Sequence, residues 1–133
     1  MQENKSIKQV IVMRTDLNMR KGKMIAQGSH ASIAFLTRRI TASDAMNDMH
    51  ISQLTDEMEY WLTNSFTKIC LKVNSEVELL KIFADAKKAN LEVNLICDNG
   101  KTEFNGVPTN TCLAIGPNLS EEIDKVTGHL SLL

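Results

Sequence analysis

The chain is organised around TDLNMRKGKMIAQGSHASIA, the stretch Thr15–Ala34. Four apolar residues at 10–13 precede it, Gly22 lies within it, and an amphipathic pattern continues from it to about Ile40. This order is typical of a buried strand, a glycine-containing turn and a helix. The stretch therefore predicts a strand–turn–helix unit near the start of the fold.

Two sets of side chains are predicted on different faces of this helix. Lys23, Gln27 and His30 follow one another at i, i+4 and i+7, so they line one face. A histidine in such a place, taken alone, is more often packed or capping than functional. The packing face would hold the apolar residues Met24, Ala26, Ala31, Ile33 and Phe35.

The predicted start of the helix is crowded with cations, namely Arg20, Lys21 and Lys23. The helix macrodipole disfavours each cation there by roughly 0.3 to 1 kcal/mol, and the free N–H groups of the first turn favour an anion. A phosphate, a carboxylate or a developing oxyanion is the guest that this charge indicates. Lysines are also common at solvated helix starts, so the charge alone leaves both interpretations open.

The composition indicates one globular domain that spans residues 1–133, with 43% hydrophobic and 23% charged residues. No apolar run approaches the length of about 18 residues that a membrane span needs, and the first residues lack an apolar signal segment. We expect a cytoplasmic protein without a membrane partner. The three cysteines, Cys70, Cys97 and Cys112, are expected to be buried free thiols, because they are odd in number and set among apolar residues.

Charge is divided unevenly along the sequence. Residues 1–43 hold eight basic and two acidic side chains, a net charge of +6, whereas the rest of the chain holds seven and fourteen, a net charge of −7. A concentrated basic segment is typical of a surface that faces nucleic acid, although solvated charges also segregate by chance.

Apolar periodicity predicts three further strands and three further helices. The strands are expected at 66–73, 91–97 and 112–115, the last of them ended by Gly116–Pro117. The helices are expected after a cap at Ser52, after a capping box at Ser75 and Glu78, and from Asn118 or Ser120 to Gly128. Leu79, Leu80, Phe83, Ala84 and Ala86 would face inward from the helix that Ser75 caps. Residues 41–51 show no period and are expected to form a loop.

The element order β-α-α-β-α-β-β-α predicts a single-domain three-layer α/β sandwich. Helices would cover both faces of a four-stranded sheet. The segment between the last two strands is too short for a helical crossover, so these strands are expected to be antiparallel and the sheet mixed.

A second polar segment, DNGKTEFNGVPTNT at Asp98–Thr111, connects the last two predicted strands. Ligands tend to bind at the carboxyl ends of strands in open α/β sheets, so Asp98–Thr102 at the start of this segment and Asp16–Lys23 are expected to meet there. The Asp-Asn-Gly sequence also suits a simple turn, so the pattern by itself does not decide between a site and a hairpin.

Both segments resemble the signatures of the type 2 peptidyl-tRNA hydrolase family, the archaeal and eukaryotic type that also occurs in some bacteria. The first signature is matched by Arg14–Leu17, Gly22-Lys23, Ala26-Gln27 and His30-Ala31. The second, Asp-Ala-Gly-Arg-Thr followed by Thr-x-Thr, is matched with three departures: Asn99 for Ala, Lys101 for Arg, and a loop about one residue longer. Lys101 keeps the positive charge but not the planar fork of arginine.

The resemblance implies hydrolysis of the ester that joins a peptide to the 3′ ribose of tRNA. It implies that Asp98 orients or deprotonates a water, and that Lys23 stabilises the oxyanion or binds the terminal phosphate. Thr102 and Thr111 would supply hydroxyl contacts near the ester, with Gln27 and His30 as supporting polar groups. No metal or cofactor is implied, and no ligand spacing in the sequence argues for a metal.

The resemblance also implies a fold of four strands with helices on both sides, a homodimer and tRNA as the partner. The basic residues expected on the tRNA-binding surface are Arg14, Arg20, Lys21, Arg38, Arg39 and Lys101. Recognition would depend mostly on shape and phosphate, since every elongator tRNA has to be accepted.

Three alternatives stay open at the level of sequence. A threonine nucleophile ranks below water because no base is placed beside Thr102 or Thr111 by the sequence. Asn99 and Lys101 also suit a non-catalytic RNA-binding or translation-associated module with the same fold. A hydrolase of another small acyl or amide substrate is the third alternative, in which the basic half would be incidental.

Overall fold

The computed structural model describes residues 6–41, 53–101 and 103–133. Within these ranges the elements follow the predicted order β-α-α-β-α-β-β-α. The strands are β1 (Ile7–Arg14), β2 (Lys68–Val73), β3 (Val93–Asp98) and β4 (Thr109–Leu119). The helices are α1 (Lys21–Thr41), α2 (Asp56–Tyr60, extended by a π-helical turn over Trp61–Ser65), α3 (Glu76–Lys88) and α4 (Ser120–Thr127).

The four strands form one mixed sheet in the order β2-β1-β4-β3. β1 pairs with β2 in parallel, and β4 is antiparallel to both β1 and β3. The predicted antiparallel pairing of the last two strands is therefore confirmed. Because β1, β2 and β3 run in the same direction, their carboxyl ends share one edge of the sheet with the amino end of β4.

Helices cover both faces of the sheet, as predicted. On one face α3 and α4 pack on alternate residues of the strands, in a core that contains Val10, Val12, Leu113 and Ile115. On the other face α1 packs on Ile11, Met13, Cys112 and Ala114, and α2 extends this layer with Met58 and Trp61 against Phe35. The strict alternation along β1 thus makes the chain a three-layer α/β sandwich.

The predicted packing face of α1 is partly wrong. Ala26 is exposed and Ile33 is 51% exposed, whereas Gln27 is 3% exposed and faces the sheet. Gly28 lies directly against β1, and a Cβ built on it would be 3.6 Å from the Met13 methyl carbon. The helix is therefore rotated toward its smallest residues, which lets its backbone approach the sheet and turns Gln27 inward.

Gly116–Pro117 does not end β4 as predicted. The strand continues to Leu119, and the register against β1 shifts between Lys8 and Val10. Gly116 has a φ of +95°, and any Cβ there would lie 2.9 Å from the Asn118 nitrogen. The two residues therefore form an irregularity inside β4, which pairs with β1 on both sides of it.

The helix caps agree with the sequence in one case and differ in another. Ser75 caps α3, with its hydroxyl accepting from the Glu78 nitrogen at 3.1 Å, as predicted. Leu119 occupies the cap position of α4, and its nitrogen donates to the Asn118 side chain at 2.7 Å. The predicted cap Ser52 and nearly all of the predicted loop lie outside the described residues, and Thr55 caps α2 instead.

Two predictions about burial are also wrong. Cys70 and Cys97 are exposed, and only Cys112 is buried. On α3 the buried residues are Leu79, Ile82 and Ala86, while Leu80 and Ala84 face solvent. In the described part of the chain, no helix is both long enough and apolar enough to cross a membrane.

Candidate active site

Asp98 is the centre of a cluster of polar side chains at the carboxyl end of β3. Its Oδ1 accepts hydrogen bonds from Lys23 Nζ at 3.0 Å and from Gln27 Nε2 at 3.2 Å. Its Oδ2 accepts from the Gly100 nitrogen at 2.9 Å. The Lys23 and Asp98 side chains are only 14% and 12% exposed, so the pair is largely sheltered from water. The two polar segments predicted from sequence therefore meet at this edge of the sheet.

The cluster keeps the Asp98 carboxyl ionised. Burial by itself would raise the pKa of Asp98, but the hydrogen bonds from Lys23, Gly100 and Gln27 and the charge of Lys23 outweigh it. The pKa of Asp98 is consequently below its ordinary value of 3.8. Asp98 is therefore an anion throughout the physiological pH range, held in one orientation by three donors.

The loop after β3 has the shape needed to direct a backbone N–H at Asp98. Gly100 has a φ of +81°, and a Cβ there would lie 2.2 Å from the Val107 carbonyl oxygen. The Gly100 carbonyl also accepts from the Gly106 nitrogen at 2.9 Å, which closes the loop on itself. Only glycine fits this position, so the Asn-Gly pair that suggested a plain turn also forms part of the site.

Gln27 connects Asp98 to Thr111 on β4. The Thr111 hydroxyl donates to Gln27 Oε1 at 2.6 Å, while the Gln27 amide nitrogen donates to Asp98. Thr111 has 0% exposure, so its hydroxyl lies beneath Gln27 and not on the open surface of the site. Cys112 also faces this helix, with its Sγ 3.4 Å from the Gln27 carbonyl oxygen. Burial raises the pKa of the Cys112 thiol to about 11, so this thiol stays protonated.

A β-bulge explains why Thr111 and Cys112 both reach α1. Ile96 pairs with Cys112 and Cys97 pairs with Asn110, which leaves Thr111 without a partner on β3. Strict alternation would direct Thr111 to the opposite face, together with Leu113. The extra residue turns the Thr111 side chain back toward α1, and bulges commonly re-aim side chains in this way next to active sites.

Lys23 reaches Asp98 from the first turn of α1, beside the ring of Phe104. Its Nζ lies 5.7 Å from the ring centroid, within the range of a cation–π interaction. Phe104 belongs to the loop after β3 and was not identified from the sequence, because a single aromatic residue in a polar loop carries no periodic signal.

The other residues predicted for the site are placed differently. His30 is exposed on α1, and Thr102 lies outside the described residues. Lys101 is exposed in the loop after β3, where its backbone N–H donates to Asn99 Oδ1 at 2.9 Å.

Arg14 is directed into the protein. Its guanidinium donates twice to Asp16, at 3.0 and 2.7 Å, and once to the Asn110 carbonyl oxygen at 2.9 Å. The Arg14 side chain is 10% exposed. It connects the turn before α1 to the beginning of β4, next to Thr111.

The remaining predicted tRNA-binding residues lie at the two ends of α1. Arg20 and Lys21 are exposed at its beginning. Near its end, Arg38 donates to Asn94 Oδ1 at 2.7 Å and to the Leu95 carbonyl at 2.8 Å, and Arg39 donates to Glu92 at 3.1 Å. The rise of an α-helix puts Arg38 about 22 Å along the axis from Lys23.

The part of the chain that the structure describes contains no group of three or more His, Cys, Asp or Glu residues arranged to hold a metal ion.

Comparison with known proteins identifies relatives over the whole of this fold. The family described as "Peptidyl-tRNA hydrolase PTH2" matches residues 7–133. The chain is 42% identical to "Peptidyl-tRNA hydrolase" of Methanocaldococcus jannaschii, over 96% of this chain and 100% of that protein. It is 39% identical to the protein of the same name from Methanothermobacter thermautotrophicus, over 96% and 100%. It is also 35% identical to "Probable peptidyl-tRNA hydrolase 2" of Drosophila melanogaster, over 98% of this chain and 63% of that protein.

Proposed function

The chain belongs to the peptidyl-tRNA hydrolase PTH2 family, and we propose that it hydrolyses the ester between a peptide and the 3′ ribose of tRNA. The products are a free peptide and a tRNA that returns to translation. The observation that carries the proposal is the sheltered contact between Lys23 and Asp98 at the beginning of α1. A cation and a carboxylate thus meet at the N-terminal end of a helix, where an ester with a nearby phosphate can bind.

The Asp98 carboxylate can accept a hydrogen bond from a water molecule at Oδ2. A carboxylate oxygen offers two acceptor sites, and Lys23 and Gln27 occupy both sites of Oδ1. Among the described residues Oδ2 accepts from Gly100, and its second lone pair can accept a hydrogen bond from the attacking water. The water oxygen attacks the ester carbonyl carbon while the water donates a hydrogen bond to Oδ2.

The charges of the site account for the rest of the reaction. As the carbonyl carbon becomes tetrahedral, its oxygen acquires negative charge that the Lys23 ammonium and the α1 N-terminus stabilise. The intermediate collapses with cleavage of the bond to the ribose 3′ oxygen, which takes up the proton removed from water. Because the pKa of Asp98 is low, this carboxylate orients the water and holds the proton only in passing.

We propose that tRNA is bound along the end of the molecule at which α1 begins. Arg20, Lys21 and Lys101 are exposed there, on the turn before α1, at its first residue and on the loop after β3. Arg38 and Arg39 belong to the proposal as a second contact region at the far end of α1. The Arg14 guanidinium is less suited to phosphate because Asp16 and Asn110 already accept its hydrogen bonds.

We also propose a cytoplasmic homodimer, with α1 at the interface. Ile25 and Ile33 are 69% and 51% exposed, and they border an apolar groove of about 720 Å³ between α1, β2 and the π-helical turn. An exposed apolar ridge beside an apolar groove on one surface is the self-complementary pattern that a two-fold interface requires.

The experiment that tests the proposed function is a hydrolysis assay with N-acetylated aminoacyl-tRNA, in which release of deacylated tRNA is followed. The parent protein should turn the substrate over. Lys23→Ala and Asp98→Asn should each reduce kcat by about 10²-fold or more, with little change in tRNA affinity for Asp98→Asn.

The chain provides a matched control pair on α3. Lys81 and Asp85 form an ion pair of the same chemistry at 2.9 Å, but it is exposed and on the other side of the sheet. Lys81→Ala and Asp85→Asn should therefore keep full activity. A parent protein that binds tRNA without hydrolysing it would instead support the non-catalytic alternative, and full activity of Lys23→Ala would refute the site.

A further inference from the structure

The Gln27 side-chain amide can adopt two orientations, which differ in the positions of Oε1 and Nε2. Its amide is 3% exposed, so water cannot satisfy it, and it lies between the Thr111 hydroxyl and the Asp98 carboxylate. Only one of its two orientations directs Nε2 at Asp98. In the other, the amide oxygen would face a carboxylate oxygen about 3 Å away, and both groups are acceptors.

The Thr111 hydroxyl can select the productive orientation. It has a single proton, which it donates to Gln27 Oε1 at 2.6 Å, whereas the Ile96 carbonyl oxygen is 3.5 Å away. Because its other acceptors, the Ile96 carbonyl oxygen and Cys112 Sγ, lie 3.5 and 3.7 Å away, the hydroxyl donates to the amide, and the side of the amide that faces it is the oxygen. The nitrogen is then left on the side of Asp98.

We propose that Thr111 is a positioning residue, which acts through Gln27 to set the orientation and the ionised state of Asp98. The bulge at Thr111 is the structural device that brings this hydroxyl to α1, since a regular strand would direct it to the opposite face. The inference rests on the proposed function for its catalytic consequence, but the chain of hydrogen bonds exists independently of the reaction.

The burial of Thr111 argues against a contact with substrate. Its exposure is 0%, and its proton is already donated within the protein. Of the two threonines considered as nucleophiles from the sequence, Thr102 and Thr111, the second would have to leave Gln27 and emerge from beneath it. In the proposed arrangement Thr111 forms no covalent intermediate.

The test uses four single variants, the double variant Thr111→Val with Gln27→Met, and two readouts. Thr111→Val removes the hydroxyl at nearly constant shape, Gln27→Met removes the amide, and Thr111→Ser keeps a hydroxyl. Thr127→Val is the matched control, because Thr127 is 1% exposed and its hydroxyl donates only to Ile123 within α4. The readouts are kcat in the tRNA assay and the titration of the Asp98 carboxyl carbon by NMR.

We expect Thr111→Val and Gln27→Met each to raise the Asp98 pKa, because the ionised form loses a donor, and to lower kcat by about tenfold. The double variant should be no worse than either single variant, since both interrupt one chain of hydrogen bonds. Thr111→Ser should recover most of both readouts, and Thr127→Val should change neither.

Three results would overturn the proposal. They are an unchanged Asp98 titration in Thr111→Val, a loss in Thr111→Ser as large as in Thr111→Val, and an acyl group on Thr111 detected by mass spectrometry. Gln27→Met decides the question if Thr111→Val does not fold. A parent protein inactive on the tRNA substrate would contradict the proposed function, while the Asp98 titration would still decide the role of Thr111.

Discussion

At the scale of single residues, the site depends on a carboxylate that is more acidic than usual although it is largely buried. Among the described residues Asp98 has three donors, and without them its burial would raise its pKa. Arg14 is a largely buried cation whose guanidinium donates to the Asp16 carboxylate and to the Asn110 carbonyl oxygen. Each residue leads to a prediction that separates its electrostatic role from a general contribution to stability.

The low pKa of Asp98 should be visible in the pH dependence of folding. A carboxyl with a depressed folded pKa contributes stability above its unfolded pKa of about 3.9, and the contribution is lost as the pH falls through the folded pKa. The free energy of unfolding of the parent minus that of Asp98→Asn should therefore be constant from pH 6 to pH 8 and should decrease below about pH 4. Urea denaturation of both proteins across this range measures it, and a difference independent of pH would contradict the assignment.

Replacing Arg14 should affect folding more than tRNA binding. Arg14→Lys loses the forked contact with Asp16, and we expect a cost of about 1 to 3 kcal/mol in the free energy of unfolding. Lys81→Ala, which removes an exposed pair, should cost less than about 1 kcal/mol. Chemical denaturation gives both values. If Arg14→Lys were as stable as the parent and bound tRNA more weakly, Arg14 would belong to the tRNA-binding surface.

At the scale of elements, two glycines lie where parts of the site approach one another. Gly28 brings α1 against β1, and Gly100 shapes the loop that follows β3. The surroundings of the two glycines are opposite in kind. A methyl group at Gly28 would make ordinary contacts at 3.6 and 3.8 Å, whereas at Gly100 it would overlap the backbone of Val107.

Alanine substitutions at these two positions should therefore have opposite effects. Gly28→Ala should stabilise the protein by about 0.5 to 1 kcal/mol, because alanine favours a helix interior and the methyl fits. Gly100→Ala should cost at least about 1 to 2 kcal/mol and should lower kcat, because the loop has to move the N–H that binds Asp98. Thermal unfolding and the tRNA assay measure both, and a stable, fully active Gly100→Ala protein would refute this role of the loop.

At the scale of the whole molecule, the two faces of the sheet differ in what they carry. The α3 and α4 face is a closed apolar core, while the α1 face holds the site, most of the proposed tRNA contacts and the apolar groove. Charge-reversing or apolar-to-charged substitutions on α1 and on α3 can therefore be compared as matched pairs.

The salt dependence of tRNA binding should identify the tRNA-binding surface. With three to five phosphate contacts, log affinity should change with log salt at a slope of about −3 to −4.5. Arg20→Glu with Lys21→Glu should raise KM and flatten the slope by about 2, whereas Lys87→Glu with Lys88→Glu on α3 should leave it unchanged.

Arg38→Glu with Arg39→Glu should lower thermal stability, since contacts with Asn94 and Glu92 are lost. A slope unchanged in that variant would remove this end of α1 from the surface.

The proposed homodimer gives a prediction about mass. Ile33→Glu should shift the protein from dimer to monomer in sedimentation equilibrium, because it puts a charge beside the apolar groove. Val77→Glu is the control, since Val77 is 79% exposed on α3 at the opposite face. A parent protein that is monomeric at high concentration, or an equal effect of both variants, would contradict the interface.

The sequence by itself determined the order of the elements, the mixed sheet and the meeting of two polar segments at one edge. Local signals carry these features: apolar periods, a serine cap and the Gly22-Lys23 and Asp98–Gly100 motifs. Family resemblance then indicated the activity and singled out Lys23, Gln27 and Asp98, which the structure brings into contact.

Only the tertiary structure decided which side chains share the site. The rotation of α1 depends on how closely Gly28 approaches β1, and the direction of Thr111 depends on a bulge against β3. Both arise from contacts between residues far apart in the chain, which a periodic pattern does not contain. The inward direction of the Arg14 side chain also depends on such a contact, because its partner Asn110 is 96 residues away in the sequence. Sequence patterns encode each element's own faces, whereas the packing of one element on another sets the final orientation of each functional group.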